Sequence, residues 1–195
     1  MSTAFAALTA DDLLRMGDAG KGYELVDGEL REKHVSTESS RIAARFCGLL
    51  DTFVMANRLG YVVAADAGFR CFPADPELVR KPDTAFTSYA TLPRNKYKPN
   101  GFSRTVPDLV VEVVSPNDLA DRVDEKRDEW LGAGVKLVWV ASISTRTVLA
   151  YRPGERPELL RVGDSLSAPD LLPGFTVPLA DLFRRPDDPD PPPVQ

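Results

Sequence analysis

The sequence predicts a single mixed α/β domain (α+β in its strand order) wrapped around one central sheet, and three observations carry that prediction. At 195 residues, 43% of them hydrophobic, the chain is long enough to bury a substantial core and no longer than one ordinary domain. Helical and strand patterns succeed one another in the order helix, strands, helix, strand. One segment, Leu109–Val114, is apolar on both strand faces apart from a single glutamate, as a buried central strand must be.

Residues 8–16 (LTADDLLRM) read as a short helix with Thr9 as its N-cap. In YELVDGELRE two short strands flank Asp27-Gly28, a pair that tolerates the positive φ of a tight hairpin turn. Ser36 to Leu59 carries the longest helical pattern. Ile42, Phe46, Leu49, Leu50 and Phe53 recur at helical spacing there, with Gly60 as the expected stop. Tyr61–Phe72 and Val79–Thr87 are strand-like, and Pro107–Val114 supplies the central strand. Asn117 or Asp118 is placed to cap a helix reaching Leu131, closed by Gly132 and Gly134. Lys136–Ala141 and Thr147–Tyr151 are further strands. The rest is irregular to Leu182, with a strand near Phe175–Val177. Five of the 17 prolines fall in the last ten residues, so residues 1–184 are expected to form the domain and 185–195 a disordered Pro/Asp-rich tail.

Composition excludes several classes. Formal charge is −5, and setting aside the three aspartates of the last ten residues leaves 24 basic against 26 acidic groups. So nearly neutral a body does not coat nucleic acid by charge alone, although it can grip it locally. Cys47 and Cys71 make neither a zinc finger nor a disulfide framework and suit a reducing compartment. The lone histidine, His34, rules out a His-rich metal site and reads as a surface residue. No run approaches a membrane span, and Asp11, Asp12 and Asp18 stand where a secretion signal would be basic and apolar. A cytoplasmic protein without membrane contact is expected, and any metal chemistry falls to oxygen ligands.

Three charged residues stand out. Glu112 interrupts the apolar strand LVVEVV, where an unpaired charge would cost several kcal/mol. It serves a site, or it is half-solvated at a strand end broken by Ser115-Pro116. Asp83 in RKPDTAF could be a simple turn aspartate. If its strand neighbours that of Glu112, however, the two acids could converge on one hard divalent cation. Lys126 falls within about 20° of Leu119 on the stripe Leu119, Val123, Trp130, so it needs an acidic partner or snorkels at the stripe's edge. Asp108 shares strand parity with Glu112 but lies about 13 Å from it, too far for one metal, and reads as a structural turn acid. Between the two acid-bearing strands, Ser88 to Pro107 holds Arg94, Lys96, Lys98 and Arg104, no acid before Asp108, and the aromatics Tyr89, Tyr97 and Phe102. Beside a metal site such a loop would suit a phosphate backbone and an unstacked base; otherwise it is a solubilising excursion.

The pieces YELVDGEL, RKPDTAF, PDLVVEVVSP, DEKRDEWLGAGVKLVWV and LLPGFTVPLADLF, in this order, resemble a large bacterial family of restriction-endonuclease-like proteins. That family, long catalogued as a domain of unknown function, lies within the PD-(D/E)XK nuclease superfamily, and the resemblance runs from about Leu8 to Phe183. It implies an αβββαβ core with an N-terminal helix and hairpin, and metal-dependent hydrolysis of DNA phosphodiester bonds. Asp83 would take the PD position and Glu112 the acidic position of (D/E)XK, holding Mg²⁺ or Mn²⁺ with the Val113 carbonyl. The lysine expected two residues after Glu112 is Val114 here. In this family the next helix supplies it, and Lys126 in DEKRDEW stands at the matching place. Glu24 matches a characteristic family glutamate, which reaches the metal or orders the hairpin. The histidine often found three before the residue matching Ile42 is Ser39 here. Arg94, Lys96, Lys98 and Arg104 would contact DNA, and cutting both strands of a duplex calls for a homodimer. Two rivals remain. One is a non-catalytic nucleic-acid- or protein-binding module on a degenerate nuclease fold, which would not bind Mn²⁺. The other is a metal-dependent phosphodiesterase or phosphatase for small substrates, which would enclose its pocket.

Overall fold

The computed structural model describes residues 7–116 and 118–188. Helix α1 (Ala10–Arg15) leads into the hairpin β1 (Tyr23–Val26) and β2 (Glu29–Glu32), then the long helix α2 (Thr37–Asn57). Strands β3 (Gly60–Ala64), β4 (Thr84–Ser88) and β5 (Leu109–Val114) follow, then α3 (Ala120–Ala133), β6 (Leu137–Ser142) and β7 (Thr147–Tyr151). The strands β8 (Glu158–Leu160), β9 (Ser165–Ser167) and β10 (Thr176–Pro178) and the single turn α4 (Leu179–Leu182) complete the order. Strands β3 to β8 form one sheet in chain order, parallel between β5 and β6 and antiparallel elsewhere. A parallel neighbour requires a crossover, and α3 provides it. The succession α2, β3, β4, β5, α3, β6 is the expected αβββαβ core.

Strand alternation divides the core into two layers. Leu109, Val111 and Val113 of β5, with Leu137, Trp139 and Ala141 of β6, pack on the face covered by Ile42, Phe46, Leu50 and Val54 of α2. Val110, Val138 and Val140 pack on the other face with Trp130 of α3. The same period puts Glu112, two residues after Val110, on the α3 side. β9, β10 and α4 strap the first layer through Leu166, Val177, Leu179 and Leu182. Among the described residues no helix is long and apolar enough to cross a membrane.

Local signals act as read at α1, where Thr9 and Asp12 form a reciprocal capping box. They also act as read in the hairpin, where Asp27 and Gly28 adopt φ of 53° and 75°. Other expectations are corrected. Gly60 does not end α2: Arg58 takes the left-handed conformation (φ 54°), and Gly60 already belongs to β3. Its glycine is needed there, because a Cβ would lie 2.1 Å from the Thr87 carbonyl oxygen of β4. β3 stops at Ala64 rather than Phe72, since Asp66 (φ 74°) turns the chain out of the sheet. Val79 and Arg80 pair with Leu25 and Phe69 instead of extending β4, and Pro82, lacking an amide proton, separates them from Thr84. Asp118 does not cap α3. Its carboxylate accepts from the Ser115 amide and hydroxyl, Leu119 stands at the N-cap without a side-chain bond, and Asn117 lies outside the described residues. The expected tail lies outside them from position 189 onward; Arg185–Asp188 form a turn closed by the Asp188 amide on the Arg185 carbonyl.

Candidate active site

Glu112 is buried in β5, 7% exposed, and α3 delivers a donor to each of its oxygens from one helical turn. Lys126 Nζ donates to Oε2 at 2.8 Å and Trp130 Nε1 to Oε1 at 2.9 Å. Contrary to the expected stripe, Leu119 is 60% exposed and does not belong to the buried face, whereas Val123 and Trp130 do. Lys126 is nevertheless buried against acids. Its ammonium also contacts Glu24 Oε1 at 2.8 Å and donates to the Lys81 carbonyl at 3.2 Å.

Glu24 reaches this point from β1, 5% exposed. Its Oε1 also accepts from the Lys81 amide at 2.7 Å, and its Oε2 accepts from Arg80 at 3.0 Å. Arg80, itself buried, is clamped on its other side by Glu129 of α3. Glu24 therefore joins the hairpin, the RKPD segment and Lys126 of α3. Burial alone would raise its carboxyl, but the charges of Lys126 and Arg80 outweigh that and hold it down at about 2. Burial pushes the Glu112 carboxyl up to about 7, with Lys126 pulling against it and the Asp83 charge adding to it. Lys126 is buried too, yet Glu112, Glu24 and Asp83 hold its ammonium charged above the ordinary lysine range.

Asp83 stands immediately before β4, opposite Glu112 in the antiparallel pairing that sets Thr84 against Val111. Its amide donates to the Val111 carbonyl at 3.1 Å, and its Oδ2 accepts from the Val113 amide at 2.7 Å. Its Oδ1 accepts from Lys33 Nζ at 3.0 Å, and Lys33 also donates to the Lys81 carbonyl at 2.7 Å. The structure thus brings Glu24, Asp83, Glu112 and Lys126 around one cleft of about 330 Å³. His34, Val35, Leu119 and Arg122, all exposed, also line it.

The donor set is oxygen throughout, which suits Mg²⁺ or Mn²⁺ rather than a softer metal. Each oxygen of Asp83 and Glu112 accepts one of these hydrogen bonds and retains a second lone pair. Two ammonium groups already sit among the three carboxylates, so the cluster draws positive charge. Among the described residues no group of three or more His, Cys, Asp or Glu is spaced to hold an ion. A cation here would rely on two carboxylates, with backbone oxygen and water filling its shell, a pattern common for Mg²⁺. On those terms the residues fit.

The basic loop is not beside this cleft. It joins the end of β4 to the start of β5, whereas Asp83 and Glu112 sit at the opposite end of that pair. Five residues of strand separate the two ends, roughly 16 Å. Arg94 lies over the Tyr89 ring at 4.1 Å, Tyr97 stacks on Tyr61 at 5.0 Å, and the Phe102 ring packs over Gly68. Arg94, Lys96, Lys98 and Arg104 are exposed, and none of them lines the cleft. Asp108 is structural, as read: its buried carboxylate accepts from the Ser88 amide, the Thr91 hydroxyl and Lys136, pinning the loop's base.

Sequence reading missed Lys33, Arg80 and Trp130. Trp130 was legible in principle, lying one turn after Lys126 on the same face. His34 is exposed as read, but on the lip of the cleft. Lys33 and Arg80 carry no local signal, because their partners are 50 and 56 positions away.

A family model described as "Uma2: Putative restriction endonuclease" matches residues 10–180. Among solved structures, a protein of Anabaena variabilis ATCC 29413 described as a "putative nuclease belonging to DUF820" superposes with a TM-score of 0.74. It is 20% identical, and the match covers 90% of this chain and 97% of that one, a likeness of fold. Curated proteins give no match. With nearly the whole folded region matched, the chain belongs to the Uma2 family, and its αβββαβ core shares the fold of the Anabaena protein.

Proposed function

We propose that this chain is a metal-dependent DNA endonuclease whose centre is Asp83, Glu112 and Lys126, with Glu24 as positioning residue. The observation that supports it most is the meeting of three distant stretches in one cleft. Lys126 Nζ sits 2.8 Å from Glu112, while the Val113 amide anchors Asp83 beside it. Asp83 and Glu112 would hold the cation. When bound, a divalent ion lowers the pKa of a coordinated water and neutralises charge on a phosphate.

The chain's own groups do the rest. Lys126 presents a fixed ammonium to the developing oxyanion or orients the attacking water. Glu24 and Glu112 hold that ammonium from two sides, so it needs little reorganisation during reaction. Trp130 fixes the Glu112 rotamer, and Arg80 fixes Glu24. Exposed Arg122 and His34 at the lip offer positive or neutral donors to a nucleic-acid backbone. A degenerate binding module would be expected to lack one of the three central groups; all three are present and mutually bonded or adjacent.

The test is single-turnover cleavage of plasmid and oligonucleotide DNA with Mg²⁺ or Mn²⁺. Asp83→Ala and Glu112→Ala should each abolish cleavage while circular dichroism shows a folded protein. Variants that cleave like wild type would remove the assignment.

A further inference from the structure

Lys33 lies outside the motif, yet it is the cation bonded to Asp83. It follows β2 directly, and its amide donates to the Gly22 carbonyl at 2.8 Å, which fixes the root of the side chain on the hairpin. The side chain is largely buried, and its ammonium bridges Asp83 Oδ1 and the Lys81 carbonyl. Asp83 Oδ2 is already tied to the Val113 amide. Lys126, the other ammonium, is committed to Glu24 and Glu112. Three carboxylates thus face two ammonium groups, and the one on Asp83 belongs to Lys33. A divalent cation on Asp83 would meet that charge across a single carboxylate, in a cleft where water screens poorly.

Building on the metal-dependent reading above, we propose that Lys33 is the resident counter-ion of Asp83 and that a divalent cation competes with it for that carboxylate. Without the cation, Lys33 relieves the repulsion of a buried acidic cluster. With the cation, its ammonium leaves Asp83 and stays in the cleft near the Lys81 carbonyl, where it adds positive charge for a phosphate.

The test is titration of the purified protein with MnCl₂ by calorimetry, paired with thermal melts in chelator and in Mn²⁺. Lys33→Met should bind Mn²⁺ about tenfold more tightly than wild type, or better. It should also melt lower in chelator and gain more from Mn²⁺. Lys33→Gln, which keeps a donor for the Lys81 carbonyl, should bind more tightly too and carries the test if Lys33→Met does not fold. Lys33→Arg, which keeps the charge, should bind no more tightly than wild type. Wild-type protein that binds Mn²⁺ with Lys33→Met and Lys33→Gln no tighter overturns the competition alone. A wild type and variants that all fail to bind overturn it together with the metal-dependent reading.

Discussion

Glu112 occupies a position where strand alternation and its neighbours call for valine, and the chain meets that cost with Lys126 and Trp130 rather than with water. Its titration has a definite sign. The carboxyl moves from an ordinary 4.5 to about 7 on folding, so the folded state holds the proton more tightly. The stability this contributes is fully present below pH 4.5 and is lost as pH rises through 7. Glu24 runs the other way: held at about 2, it stabilises above pH 4.5 and loses that contribution as pH falls toward 2. Metal-free protein should lose up to about 3 kcal/mol through Glu112 across its window. Urea denaturation in chelator at stepped pH checks this, and Glu112→Gln should flatten the slope. Saturating Mn²⁺ should flatten it as well, since a cation replaces the proton. The oddity of Glu112 was readable from six letters, because a lone acid in an apolar run is expensive in any fold. Its partners were not, because they come from another element.

At the scale of elements, the site depends on α3 lying across the α3-side face of β5. On the proposed reading the motif lysine is carried by the helix instead of the strand: Val114 stands where the strand version would be, and it lines the same cleft as Lys126. What matters is then the location of the ammonium, not the element that carries it. Lys126→Met should reduce cleavage about 100-fold or more, the scale of losing one charge-stabilising donor. Adding Val114→Lys to that variant should restore at least a tenth of the lost rate in single-turnover assays, within about 1.4 kcal/mol of the barrier. Element type was largely legible, since α2, the hairpin, β5, α3 and β6 announce themselves by period and caps. Ends were less so. β3 and β4 are shorter than their β-rich sequences, because a left-handed Asp66 and the proline at position 82 divert the chain into pairings with distant residues.

Across the whole molecule, the sheet separates two features that adjacency in sequence had joined. The Ser88–Pro107 loop and the acidic cleft are consecutive along the chain but sit at opposite ends of β4 and β5. Arg122, exposed on the cleft lip one turn before Lys126, is the better-placed cation for a substrate backbone. In an Asp83→Asn background, Arg122→Gln should weaken DNA binding uniformly across sequences and reduce the salt slope by about one, read by fluorescence anisotropy over a salt series. Neutralising Arg94, Lys96, Lys98 and Arg104 together should leave Mn²⁺ affinity at the cleft unchanged. By itself the sequence determined the fold class, the order of its core elements and the two acids and one lysine to watch, because periodicity and misplaced charge are local quantities. The family resemblance had already marked Glu24; only the tertiary structure decided that it bonds Lys126, that Lys33 and Arg80 belong with them, and that the basic loop does not. Pairings across 50 residues and the antiparallel run of a strand pair exist only once the sheet has formed.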